Sequence, residues 1–272
     1  MKGRGVTPGE QLARAFGSVV VWAVALFIVL PLLAVVYVSF SSKSYFVFPP
    51  AGFSLRWYAN IGSNPIFLTS FVRSVLVGLL VTAITGALAI PAAWALTRVQ
   101  FRGRGTILTF LMAPLLLPTL VLALALLAFY TTLRWNDTLI GLLAAHTVVT
   151  LPYFLRSVLV SLATLDPALL EASELLGASP WSTFRHVLLP LAKPGVLAGA
   201  TFSFILSFDQ FTVSLFVVGY RQVTLPIALY NYLNQNSDPT VAAVSTLLVL
   251  FGFGASWLLH RLVGLDNLFA GR

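Results

Sequence analysis

Eight Asp and Glu residues and three His are spread through 272 residues, and there is no Cys. Acid/base, metal or phosphate chemistry needs such groups in recurring spacings. A zinc hydrolase sets two His four residues apart on one helix face, a structural zinc site clusters Cys, and a phosphate site needs a Gly-rich turn into a helix. None of these spacings occurs. His146, His186 and His260 are scattered, and Gly103 and Gly105 sit among arginines in a short basic segment. The carboxylates that stand out do so by position. Asp209 falls beside a long apolar run with Ser207 and Gln210 next to it, and Glu171 and Glu174 fall in a polar stretch between two apolar runs. Groups so placed suit attraction of a cation and docking of a partner rather than bond-making. The sequence therefore predicts no enzyme activity and no resident cofactor or metal; if ATP drives this protein, another chain binds it.

The elements that carry these residues follow from composition. Lys and Arg outnumber Asp and Glu by 16 to 8, a net charge of +8, yet only 9% of residues are charged and 58% are hydrophobic. Soluble domains carry about 25% charged residues. With a mean hydropathy of +0.94, most of this chain is solvated by lipid. Disorder, coiled coil and soluble enzyme folds are excluded, and the positive balance becomes a matter of membrane sidedness rather than of nucleic acid.

A helix crosses roughly 30 Å of hydrocarbon with about 20 apolar residues. The charge-poor runs predict an all-α integral membrane protein with six spans, at about 16–40, 74–97, 106–133, 138–155, 194–220 and 239–259. The fifth is long enough only if it continues through Asp209 to Tyr220, which places that carboxylate inside the membrane, roughly 22 Å from the cytoplasmic end. An intramembrane carboxylate costs about 2.5 to 3.5 kcal/mol unless it meets water or a partner. Two readings stand: Asp209 lines a solute path with Ser207 and Gln210, or the helix breaks near Phe208 and leaves Asp209 at the interface.

Six spans return both termini to one side. That side collects Lys2, Arg4, Arg14, Arg98, Arg102, Arg104, Arg156, Arg185, Lys193, Arg261 and Arg272, against Lys43, Arg56, Arg73, Arg134 and Arg221 on the other. The excess makes both termini cytoplasmic. The first run is too long for the core of a signal peptide and no small-x-small site follows it, so it is expected to stay as a span. With no low-complexity linker, residues 1–272 are expected to form one membrane domain. Residues 43–73 form an aromatic-rich outer segment, read as an interfacial belt or a partner-docking surface. Gly78, Thr82 and Gly86 recur every four residues, a stripe for close helix packing. Pro91, Pro114, Pro118 and Pro152 are expected to kink their spans.

The one long cytoplasmic connection, 156–193, predicts a helical hairpin. Asp166-Pro167 and Ser179-Pro180 each place a capping oxygen before a proline at the first helical position, Gly177 supplies a left-handed stop, and Pro190 ends the second helix. At 100° per residue, Leu165, Leu169, Ala172 and Leu176 share one face, expected to pack on the spans, while Glu171 and Glu174 share the other.

Glu171-Ala172-Ser173, Gly177 six residues after that Glu, and Leu189-Pro190 resemble the EAA motif of the permease subunits of type I, binding-protein-dependent ABC importers, with Ser where the motif ends in Ala. The segment from Phe48 to Tyr58, the pair Pro114 and Pro118, Ser207-Phe208-Asp209 and Thr224-Leu225-Pro226 are similar to the spermidine/putrescine class of these permeases. The resemblance implies that Glu171, Ala172, Ser173, Glu174, Gly177, Leu189 and Pro190 belong to a coupling loop that sits in a cleft of a cytoplasmic ABC ATPase dimer. It also implies a second permease chain, most simply as a heterodimer, an extracytoplasmic solute-binding protein, and a bacterial-type inner membrane. The solute expected on this ground is a polyamine or related amine, with opines, phosphonates and other small solutes as alternatives. A self-contained secondary transporter is the competing class; it requires inverted repeats with ionisable residues at the midplane, for which Asp209 is the lone candidate.

Overall fold

In lipid every backbone N–H and C=O must be satisfied within the protein, which leaves helices or closed barrels. The computed structural model, which describes residues 8–49 and 52–263, is helical: among the described residues the only β contact is an isolated bridge between Ser41 and Phe53. The helices are α1 (Pro8–Ser39), α2 (Arg56–Ser63), α3 (Pro65–Arg98), α4 (Arg104–Met112), α5 (Thr119–Leu133), α6 (Leu139–Ala163), α7 (Pro167–Leu175), α8 (Pro180–Leu191), α9 (Lys193–Phe208), α10 (Thr212–Val217), α11 (Leu225–Gln235) and α12 (Thr240–Val263). The chain divides into two compact units, one of residues up to Pro65 and from Asn231 onward, the other Ile66–Tyr230.

In the first unit α1 packs on α12, and α2 packs on α12 as well. The α1 window that meets the length and hydropathy of a membrane span has none of its residues buried within the protein. Phe16, Trp22 and Phe27 are each more than 70% exposed, as a face solvated by acyl chains requires. Beyond α1, Trp57 is buried and donates its indole N–H to the Ser41 carbonyl at 2.7 Å, with the Arg56 guanidinium 4.0 Å above its ring. Asn60 donates to the Tyr232 hydroxyl at 2.9 Å and to Thr240 Oγ1 at 2.8 Å, tying α2 to the start of α12.

The second unit is built on α3, α6 and α9. Buried α3 residues Val77, Gly78, Val81, Thr85, Gly86, Ala89 and Ala93 recur at three- and four-residue steps, and α6 answers with His146, Thr150, Phe154 and Val158. The predicted small-residue stripe acts through close approach. Phe154 lies between two glycines: a Cβ added at Gly86 would stand 3.1 Å from its ring, and one at Gly199 of α9 2.7 Å. At Gly195 an added Cβ would collide with the Ser161 side chain and stand 2.6 Å from the Ser157 carbonyl, both on α6. Between α5 and α6, the Asp137 carboxylate accepts backbone N–H bonds from Gly219, Arg221 and Gln222 at 2.9 to 3.2 Å, and its own amide donates to the Val217 carbonyl.

Several span boundaries differ from those predicted. Among the described residues three helices, within α1, α3 and α6, are long and apolar enough to cross a membrane; two further pairs qualify only as bent spans, and a shorter apolar helix covers Thr240–Gly254. The run expected as one span over 106–133 is broken: α4 and its 3-10 continuation to Leu115 meet α5 at 103°, with Pro114 in the tight turn and Pro118 capping α5. Two prolines four residues apart remove two backbone donors and force extended geometry before α5, so the kink expected there becomes a break. Pro91 and Pro152, by contrast, lie within continuous helices. The fourth span does not stop at 155. Arg156 leaves the helix intact for two more turns to Ala163, since a long cationic side chain near a helix end reaches to the interface. The outer loop read over 221–238 contains α11, started by Leu225 and Pro226, whose register is fixed where the Ser74 hydroxyl accepts the Leu225 N–H at 2.8 Å.

Candidate functional site

The hairpin forms where its caps predict. The Asp166 carboxylate accepts the Ala168 N–H at 2.9 Å and the Ser179 hydroxyl the Ser182 N–H at 3.3 Å, so each helix begins with a satisfied donor. Gly177 has φ of +78°. Around it Leu176 N–H donates to the Ala172 carbonyl and Ala178 N–H to the Ser173 carbonyl, both at 3.1 Å. The second of these is the bond that closes a helix through a left-handed residue.

The buried face of α7 differs from the one the spacing suggests. Leu170 (3% exposed) and Ser173 (9%) face inward, whereas Leu169 and Ala172 are exposed and Leu176 is 88% exposed; of the predicted inward set only Leu165 is half-buried. The cause is polar. Ser173 Oγ donates to the Leu170 carbonyl at 2.9 Å and stands 2.9 Å from Thr183 Oγ1, so Thr183 is the donor between them. This bond joins α7 to α8 and turns Ser173 toward the core. The outer surface then presents Glu171, Leu175 (89% exposed), Leu176, Gly177 and Trp181 (63% exposed). The Glu174 side chain lies outside the described residues.

Pro190 does not end the second helix. A π turn over Phe184–Leu188 precedes it, and helix continues to Leu191, with Leu189 half-buried and Pro190 exposed. The wider turn relieves the clash between the proline ring and the preceding turn of backbone. The change of direction comes at Ala192, where α8 meets α9 at 70°. One nearly continuous element thus runs from the hairpin into the packed helix of the second unit.

At its far end α9 stops. The extension of a single helix through Asp209 to Tyr220 is corrected: Asp209 is the C-cap of α9 with φ −90° and ψ 2°, and helix resumes only at Thr212. An unpaired carboxylate is stabilised by leaving the helix flank for an accessible break, and the Asp209 side chain is exposed. Gln210 is half-buried, and its N–H reaches the Ser207 carbonyl at 3.4 Å. Ser207 is 3% exposed and turned away from Asp209, its Oγ 2.9 Å from His146 Nδ1. The other ring nitrogen, Nε2, lies 2.9 Å from Ser214 Oγ on α10. His146 has no exposed surface. Sequence reasoning set it aside as one scattered histidine; the available signal was a titratable ring inside an otherwise charge-free apolar run.

Apolar helices that span, a packed helix interrupted at a carboxylate, and a hairpin with an exposed acidic and apolar tip are the parts of a membrane transport subunit. Among the described residues no group of three or more His, Cys, Asp or Glu is gathered to hold a metal ion. The sequence profile of the family described as "binding-protein-dependent transport system inner membrane component" matches residues 86–263, and the chain belongs to that family. It is 31% identical over 228 residues to the spermidine/putrescine transport system permease protein PotC of Escherichia coli K12, covering 84% of this chain and 86% of the relative. It is 34% identical over 211 residues to a probable molybdenum ABC transporter permease protein of Haloferax volcanii, covering 74% and 77%. A bacterial ABC transporter involved in the import of alginate shares the fold, with TM-score 0.69 at 16% identity over 96% of this chain and 99% of that one. The protein is therefore a multi-pass permease subunit of an ABC importer.

Proposed function

We propose that this chain and a second permease chain together form the path for uptake of a small cationic amine, a polyamine or a close relative, with ATP hydrolysed by a separate cytoplasmic ATPase dimer and solute delivered by an extracytoplasmic binding protein. The chain acts as one inner-membrane domain with six spans, two of them bent, and both termini in the cytoplasm. The hairpin docks the ATPase. Glu171, Leu175, Leu176 and Trp181 supply a surface with one charge and three large apolar groups, and Ser173 and Gly177 hold its form. Closure of the ATPase pair displaces the hairpin, α8 transmits the displacement around the bend at Ala192, and α9 moves together with α6 so that the break at Asp209 opens to one side or the other. The kinship with polyamine permeases and an accessible carboxylate where α9 stops support a cationic solute.

The observation that carries this reading is the hairpin itself, a capped two-helix unit that leaves Leu175, Leu176 and Trp181 exposed, with no described residue of its own chain covering them. Glu171→Lys reverses the charge at that surface, and Gly177→Val puts a β-branched side chain at φ +78°, costing about 1 to 3 kcal/mol in the turn. In reconstituted importer both substitutions are expected to reduce solute-stimulated ATP hydrolysis at least about tenfold, as loss of a desolvated interface contact does, with membrane insertion unchanged. Wild-type coupling in both variants overturns the docking role.

A further inference from the structure

His146 bridges the break in the α9–α10 element. Ser207 is the second residue before Asp209, in the last turn of α9, and Ser214 is in the first turn of α10; both are buried and both bond to the same imidazole. The direction of these bonds follows from proton counting. The Ser214 hydroxyl donates its one proton to the Gln210 carbonyl at 2.6 Å. Its oxygen is then the acceptor for His146, so Nε2 carries the ring proton. Nδ1 is left as an acceptor, and Ser207 Oγ–H donates to it. The result is a one-way chain from Ser207 through the ring to Ser214 and back to the carbonyl of Gln210, inside the break. Every proton in it is used once.

We propose that His146 is the positioning residue for Asp209: by holding both flanks of the break from α6 it fixes where the break lies and where the carboxylate projects. The inference rests on the reading of Asp209 as part of the solute path, and it adds the means by which that path keeps its shape. Without the ring, Phe211 still packs on Tyr230 and Val213 still lies in the core with Leu142 and Ala145 of α6, but Ser207 and Ser214 lose the one polar partner that they share. With it, α9 and α10 move with α6 as one body, or the chain of bonds must break. A phenyl ring is somewhat larger and ties neither side, so a variant that only removes a hydroxyl partner serves as its control.

The chain has no native cysteine, so two introduced thiols are its only labelling positions. Phe202→Cys on α9 and Leu215→Cys on α10 are both at exposed sites, and spin labels there report the distance across the break in the reconstituted importer; the Cys-free chain measures the background from partner subunits. With His146 present the distance distribution is expected to be narrow. His146→Phe is expected to broaden it by several ångströms and to lower putrescine uptake about tenfold, the effect of losing one or two buried hydrogen bonds. His146→Gln offers one acceptor and one donor at nearly the separation of the ring nitrogens and is expected to restore the narrow distribution. Ser214→Ala cuts the tether to α10 together with the bond to the Gln210 carbonyl, leaves the bond to Ser207 in place, and is expected to broaden the distribution as His146→Phe does; it decides the matter if the Phe variant fails to assemble. A distribution as narrow as wild type in His146→Phe or in Ser214→Ala overturns the proposal, and so does a Gln variant that stays broad, which would make ring shape rather than hydrogen bonding the determinant. The distance readout is independent of solute, whereas unchanged uptake in Asp209→Asn would remove Asp209 from the path and leave the tether standing.

Discussion

Asp209 is an exposed carboxylate at the C-terminal end of a helix, where the macrodipole disfavours negative charge. A residue placed against that field is one whose charge serves something other than the helix. Its attraction for a cation about 4 Å away lies between ~1 kcal/mol in bulk water and ~4 kcal/mol at an effective dielectric near 20. Asp209→Asn keeps the size and removes the charge, so initial uptake of labelled putrescine by the reconstituted importer is expected to fall on the order of tenfold at low salt and by less at high salt. An anionic solute reverses the sign and makes the Asn variant neutral or faster. Asp209 was legible in the sequence because a charge in an apolar run is conspicuous. Its helix was not, because an apolar run reads the same whether it is continuous or broken. Ser207 was grouped with Asp209 by adjacency alone; the helix end turns one inward to His146 and the other outward.

The elements divide by what determines them. The hairpin's starts and its stop were legible because Asp166, Ser179 and Gly177 act on backbone groups two to five residues away. Its buried face was not, because Leu170 and Ser173 turn inward where Ser173 meets Thr183 on the next helix, a pairing ten residues away that helical spacing does not encode. For the spans, length and hydropathy located helices well and their interruptions poorly: Pro114 and Pro118 break one run, whereas Pro91 and Pro152 are absorbed by others whose neighbours pack against them. The contact of α9 with α6 is the tightest of these packings and gives a graded test. Gly195→Val is expected to cost about 1 to 3 kcal/mol through overpacking against Ser157 and Ser161. Gly86→Ala, where the neighbouring Phe154 ring need yield only a few tenths of an ångström, is expected to cost much less. Thermal unfolding midpoints of the purified subunit pair should rank wild type and Gly86→Ala together, with Gly195→Val well below. Equal midpoints for all three would mean that this contact does not limit stability.

At the scale of the whole molecule, one chain carries one hairpin proposed to dock the ATPase, and the ATPase is expected to act as a pair. Two permease chains are then expected, and native mass measurement of the purified importer is expected to give two permease chains for two ATPase chains, with the second permease a related but distinct sequence. A single permease chain per ATPase pair would end this reading. There is a further consequence in the pairing of α1 with α12. α1 is made before its partner α12, with residues 40–239 synthesised in between. During that interval it lacks the helix it packs on. A mean hydropathy of 3.0 with no buried residue in its window suits α1 to stand in lipid on its own backbone bonds. Such a helix can serve as an anchor that waits for α12.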